Sequence, residues 1–196
     1  MNWLQPPITL QGNNVRLEPL GTQHFDALLY IASANKEIWT HLPVYGADGE
    51  LLLAELKSAL TKRASGEQYP FVIIDSVQNK VIGSTRFLNI FPEHRKLEIG
   101  WTWYDPAYWG TGYNIECKYL LLTYCFETLK CIRVQLQASA KNERSCAAIK
   151  KIGAKPEGVL RNDRVRPDGT LRDTAVFSII DSEWNEVKKM LEEKML

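Results

Sequence analysis

The stretch Leu97–Leu129, LEIGWTWYDPAYWGTGYNIECKYLLLTYCFETL, constrains the fold of this chain more than any other. Leu97, Ile99, Trp101 and Trp103 alternate with Glu98, Gly100, Thr102 and Tyr104, the two-residue period of a strand. Asp105-Pro106 closes it, because proline has no N–H to give a ladder. Trp109-Gly110-Thr111-Gly112-Tyr113-Asn114 reads as a tight turn. Beyond it Ile115, Tyr119, Leu122, Phe126 and Leu129 recur at helical spacing and read as one core-facing side. Strand, glycine turn and helix in succession aim backbone N–H groups and a helix N-terminus at one point. That is a ready seat for a phosphate or pyrophosphate.

The flanking sequence builds a mixed sheet around this unit. Val15–Leu20 reads as a first strand, His24–Ser33 as a helix, Trp39–Gly49 as a loop carrying Pro43, and Glu50–Ala64 as a second helix ended by Ser65-Gly66. Phe71–Ile74, Val81–Phe91 and the strand from Leu97 form an antiparallel meander with short connections. In Cys131–Ala140 the residues Ile132, Val134, Leu136 and Ala138 alternate with polar ones, a half-buried strand. The intervening helix makes this strand parallel to the one from Leu97. Asn142 caps a helix over Glu143–Ile152, stopped by Gly153. Glu157–Arg166 and Arg172–Ile180 form a hairpin joined at Pro167-Asp168-Gly169, and a last helix starts at Asp181-Ser182. The expectation is an α+β protein of three layers, a single domain over residues 1–196. Its sheet changes from an antiparallel N-terminal meander to parallel strands near its middle.

Composition excludes several classes. The formal net charge is +1 with no basic block, which leaves no nucleic-acid footprint. The four cysteines lack metal-ligand spacing and the three histidines are scattered, so no metal is expected. Met1-Asn2-Trp3-Leu4 opens no apolar signal core, and no apolar run approaches membrane-spanning length. A cytoplasmic protein with free thiols, not bound to a membrane, is expected.

Several stretches together resemble the GCN5-related N-acetyltransferase family, closest to the branch holding the ribosomal-protein N-terminal acetyltransferases. They are EIGW at Glu98–Trp101, WGTGYNIE at Trp109–Glu116, YCFETL at Tyr124–Leu129, NERS at Asn142–Ser145, KKIGAKPEGVLR at Lys150–Arg161 and PDGTLRDTAVFSI at Pro167–Ile179. The resemblance spans Val15 to about Trp184. It implies that the strands Leu97–Tyr104 and Cys131–Ala140 splay apart and hold acetyl-CoA as co-substrate. The pantetheine arm would lie on the backbone of Thr102, Trp103 and Tyr104 and meet Asn142. The pyrophosphate would lie on the amides of Trp109, Gly110, Thr111, Gly112, Tyr113 and Asn114. The implied reaction is direct acetyl transfer to an amine, either a protein N-terminus or a small molecule. Trp109 stands where the family has Gln or Arg, Asn114 where it has a small residue, and Ile149 where many members have a tyrosine acid.

Glu98 falls at the position of a catalytic glutamate in some members and is the candidate base, or else a carboxylate paired with Arg86 or solvated. Ser145 is the candidate donor to the leaving thiolate, or else a first-turn serine. Trp39 and His41 stand in the loop between the first two helices, where the resemblance implies an acceptor pocket. Lys141, Arg144, Lys150 and Lys151 read as a solvated helix face or as contacts for the 3′-phosphate. The same motifs also suit a weakly catalytic acyl-CoA-binding domain, or an enzyme using a longer acyl group such as succinyl. A homodimer through the terminal elements is compatible with the chain.

Overall fold

The computed structural model describes residues 3–42, 45–166 and 168–195; Pro43 and Pro167 lie outside them. The chain runs β1 (Leu10–Gln11), β2 (Val15–Pro19), α1 (Phe25–Ala34), α2 (Gly49–Ala64), β3 (Tyr69–Asp75), β4 (Lys80–Phe91), β5 (Lys96–Tyr104), α3 (Tyr113–Thr123), β6 (Arg133–Ser139), α4 (Glu143–Lys151), β7 (Lys155–Val165), β8 (Leu171–Ile180) and α5 (Trp184–Met195). These strands form one sheet in the order β1-β2-β3-β4-β5-β6-β8-β7. Among the described residues only β5 and β6 are parallel neighbours. This is the mixed α+β sheet that the sequence predicts.

Alternation in the strands divides the core into two layers. Phe71 and Ile73 of β3 face α3, α4 and α5, with Leu121, Ile149 and Leu191 among the buried partners. Val72 and Ile74 face the opposite way, onto Leu28 of α1 and Leu52 and Leu56 of α2. Asp48 caps α2 by accepting from the N–H groups of Glu50 and Leu51.

Two local features depart from the sequence reading and shape the site. The β4–β5 register slips by one residue between Gly100↔Arg86 and Trp103↔Ser84, and Trp101 sits at φ 51°. That is a β-bulge, which adds one residue and reverses the alternation beyond it. Trp103 therefore joins the α1–α2 layer, while Tyr104 returns to the layer of Leu97 and Ile99. In the following helix, α3 passes into a π-turn at Tyr124–Thr128. Cys117, Leu121, Leu122 and Cys125 are fully buried, and the expected Ile115, Phe126 and Leu129 are in the core with them. Tyr119 is correspondingly rotated to the edge, where its hydroxyl donates to Glu192 Oε1 at 2.8 Å. Ile132, expected inside, precedes β6 and is exposed.

Candidate active site

The parallel pairing of β5 and β6 ends early. It joins Lys96↔Arg133, Leu97↔Val134 and Glu98↔Gln135 and goes no further. Beyond Glu98 the β5 backbone from Ile99 to Tyr104 has no β6 partner, and a cavity of about 640 Å³ opens beside it. This volume suits a cofactor-sized ligand. A row of strand N–H and C=O groups facing a cavity is a seat for an extended amide chain.

At one end of the cavity lie the glycine turn and the N-terminus of α3. Gly110 and Gly112 have φ 79° and 91°, and a Cβ at either would meet no atom within 4 Å. The need for glycine here is thus conformational, not steric. Gly112 is the N-cap of α3 and no side chain caps the helix; the Ile115 N–H turns back to the Gly112 carbonyl at 2.8 Å, which leaves the amides before it to face a ligand. Trp109, Gly110 and Asn114 line the cavity, whereas Thr111, Gly112 and Tyr113 belong to the same turn without lining it. Thr111 Oγ1 donates to the Tyr108 carbonyl at 2.7 Å, and the Tyr113 ring packs edge-on against Tyr108. The Trp109 ring carries the Arg144 guanidinium 3.5 Å above its centroid, so Arg144, though exposed on its helix, also lines the cavity.

Across the cleft, Asn142 Oδ1 accepts from Ser145 N at 3.0 Å and caps α4. The cap leaves the Asn142 Nδ2 group for another partner. Ser145 lines the cavity one turn into the helix. Cys146 beside it donates to the Ser139 carbonyl, and burial pushes its thiol up, away from the thiolate form.

Glu98 lies on the wall of the cavity, only 4% exposed. Asn89 Nδ2 donates to its Oε2 at 2.9 Å and Gln135 Nε2 at 3.4 Å. Burial raises its pKa above the ordinary value, opposed in part by those two donors and by the charges of Arg164 and Arg172. Arg86, considered from sequence as its partner, instead pairs with Glu55 at 2.7 Å and stacks on Trp101. Facing the β5 wall, Lys118 is buried and donates to Thr102 Oγ1 at 2.6 Å; desolvation lowers its pKa.

The two acceptor-pocket candidates separate. His41 lines the cavity, with its pKa lowered by burial and by Arg166, Arg144 and Arg172. Trp39 does not line it: the ring is 3% exposed, lies 5.2 Å from that of Trp103, and donates to the Ala32 carbonyl. Trp103 is likewise a core side chain, and only its backbone belongs to the β5 wall. Asn89, Gln135, Lys118, Arg164 and Arg172 were not singled out from sequence. The polar positions of β6 were a usable signal for Gln135, whereas Lys118 was hidden inside an apolar helix.

Among the described residues no group of three or more His, Cys, Asp or Glu is placed to hold a metal, and no helix is long and apolar enough to cross a membrane.

Comparison with known proteins agrees with this geometry. The description of the acetyltransferase (GNAT) domain matches residues 14–155. An uncharacterized N-acetyltransferase, YoaA of Bacillus subtilis, is 33% identical over 101 residues, 52% of this chain and 56% of that protein. The chain thus spans about half the length of the curated relatives it matches. The crystal structure of a GCN5-related N-acetyltransferase from Brucella melitensis superimposes with a TM-score of 0.86 at 29% identity, covering 96% of this chain and 86% of that one. RimJ of Mycobacterium smegmatis, solved in complex with CoA-disulfide, shares the fold with a TM-score of 0.83 at 20% identity, covering 96% and 95%. An eight-stranded sheet that splays beyond Glu98, a glycine turn at the head of α3, and a domain match over most of its length place this chain in the GCN5-related N-acetyltransferase (GNAT) family.

Proposed function

We propose that this protein moves an acetyl group from acetyl-CoA to a primary amine by direct transfer. The observation that carries the reading is the run of β5 from Ile99 to Tyr104, left without a β6 partner and flanked by the glycine turn and Asn142. The backbone of Thr102–Tyr104 offers the pantetheine amides a strand partner, and Asn142 Nδ2 a side-chain donor. The turn and the first amides of α3 offer the pyrophosphate its donors. RimJ, solved with CoA-disulfide, supports such a ligand for this fold.

In the reaction the amine lone pair attacks the thioester carbonyl; a C–N bond forms and the C–S bond breaks. Glu98 takes the proton of the ammonium, directly or through water, and the upward shift that burial gives its pKa favours that role. A backbone N–H near Trp103 or Tyr104, on the stretch of β5 that β6 does not pair with, stabilises the oxyanion. Ser145 donates to the departing thiolate. Holding both reactants in one cleft supplies much of the acceleration.

Two substitutions separate binding from chemistry. Gly112→Val forces a β-branched residue into a left-handed backbone, at a cost of about 1–2 kcal/mol. Calorimetric titration is expected to show an acetyl-CoA Kd roughly 5–30 times weaker. Ser145→Ala is expected to lower kcat by about 10²-fold with little change in that Kd.

The reading is tested by thiol release across an amine panel, with both substrates varied. Intersecting initial-rate lines are expected. Parallel lines would indicate a covalent intermediate and overturn direct transfer. Acetyl-CoA binding with no turnover of any amine would instead mark an acyl-CoA-binding domain.

A further inference from the structure

The acceptor side of the cleft carries an arrangement that acetyl transfer alone does not require. Arg164 of β7 and Arg172 of β8 are direct cross-strand partners, and both line the cavity. Like charges placed opposite each other weaken a hairpin. Their neutralisation inside the protein is incomplete. Arg164 reaches Asp163, its neighbour in sequence, and Gln137 Oε1, each at 3.3 Å. Arg172 forms no ion pair among the described residues, and its Nε is buried without a hydrogen-bond partner. Arg166, two residues beyond Arg164, reaches only the neutral Ser139 Oγ at 3.3 Å.

The position of the pair ties it to the acceptor. Along β8, Ala175, Phe177 and Ile179 pack on the α3–α5 layer, so Arg172 points to the opposite face. On that face lie Gln135 and Glu98, joined by a hydrogen bond. The charges of Arg164 and Arg172 are felt at Glu98, and that of Arg172 also at His41. Neither arginine forms an ion pair with Glu98, whose Oε2 is held instead by Asn89 and Gln135. The glycine turn, where the pyrophosphate is expected, has a cation of its own in Arg144 above Trp109.

We propose that Arg164 and Arg172 form an anion subsite, and that the acceptor is a primary amine carrying a carboxylate. This rests on the acetyl-transfer reading above. The carboxylate sits between the two guanidinium groups and brings the amine toward Glu98. It gives the buried Arg172 Nε a partner and relieves the repulsion across the hairpin. Two kinds of acceptor share this chemistry: a free amino acid, and a peptide with acidic residues just after its N-terminus.

Matched acceptors distinguish them. The probes are glutamate against glutamine amide, and an N-terminal Ser-Asp-Glu peptide against Ser-Asn-Gln, both peptides amidated at the C-terminus. Thiol release is measured for the parent protein, Arg164→Gln, Arg172→Gln and the double variant. The expected result is a kcat/KM for one carboxylated probe about 10–100 times that of its neutral partner, an advantage lost in the double variant. The KM for acetyl-CoA should change less than about twofold, and the neutral probe measured in each variant sets the baseline for any effect passed through Glu98, so the readout is the charged-to-neutral ratio, which general structural damage would not change. Thermal melting controls for folding, and loss of the like-charge pair should not lower it. The probe pair that shows the preference identifies the source. Equal turnover of charged and neutral probes by the parent overturns the anion subsite and leaves acetyl transfer standing. An equal loss on both probes in the variants also overturns it. No thiol release with any amine overturns the acetyl-transfer reading and the subsite with it.

Discussion

Glu98→Gln is expected to lower kcat/KM for amine acetylation by about 10²–10⁴-fold while leaving the protein at least as stable as the parent. The two halves have the same cause. Both recorded donors to Glu98, from Asn89 and Gln135, end on one oxygen, Oε2. A glutamine can place its carbonyl there and keep both bonds, so packing and polar satisfaction survive. What it loses is the capacity to take a proton. Burial raises the folded-state pKa of Glu98 above its ordinary value. The folded state therefore holds this proton more tightly than the unfolded state. The stability gained from that is fully present below the unfolded-state pKa of about 4.3 and is lost as pH rises through the folded-state value. At neutral pH the buried carboxylate costs stability, and the amide removes that cost. Thermal melting across pH should show the variant equal to or above the parent near pH 7, with the difference vanishing in acid. In the rate profile, the parent should lose activity as pH falls through the raised pKa of Glu98, and the variant should lack that limb.

Glu55→Ala is expected to destabilise the fold by about 3–5 kcal/mol, because it strands a buried charge. Arg86 is 2% exposed, and its guanidinium is held by Glu55 at 2.7 Å and Gln68 at 3.1 Å while lying 4.4 Å from the Trp101 ring centroid. Burial pushes its pKa down, and Glu55 opposes that shift. Without Glu55 the charge remains buried with one neutral acceptor. For a chain of this size the loss corresponds to a melting temperature lower by roughly 6–20 °C. Trp101 is the bulge residue of β5 and lines the cavity, so acceptor KM should also rise. A Glu55→Leu, Arg86→Met double variant should recover most of the stability, since an apolar pair of similar volume removes the charge instead of stranding it. Little stability loss in Glu55→Ala would contradict this account of the pair.

What the sequence disclosed, and what it hid, follows from how local each feature is. The alternation of Val134, Leu136 and Ala138, the Asn142 cap and the glycine turn depend on near neighbours alone, and they stand where their spacing places them. The alternation of β5 fails after Gly100 because a bulge adds a residue there. Gly100 beside it is the one local signal, but the left-handed position itself is filled by Trp101, held by packing under Arg86. The inward face of α3 holds at Ile115, Leu122, Phe126 and Leu129, but it is wider than the apolar period shows and leaves Tyr119 at its edge. Glu116 accepts from the backbone N–H groups of Asn13 and Asn14, far away in sequence, and Lys118 reaches Thr102. Buried charges of this kind break the apolar period, and their partners cannot be read along the chain. Trp39 is expected in the pocket because it stands in the loop between the first two helices, where the resemblance places the acceptor; its partner Trp103 became available only through the bulge. The arginine pair was equally hidden, since the register of β7 against β8, with its irregularity between Leu160 and Arg164, decides which residues face each other.

The central claim is that the gap beyond Glu98 between β5 and β6 is the seat of acetyl-CoA. Amide hydrogen exchange, with and without saturating acetyl-CoA, tests it directly. The account predicts slowed exchange at the amides of residues 101–104 and 110–116, with β2 and β3 unchanged. Binding that leaves those two segments unprotected, or that protects a different face of the sheet, would contradict it.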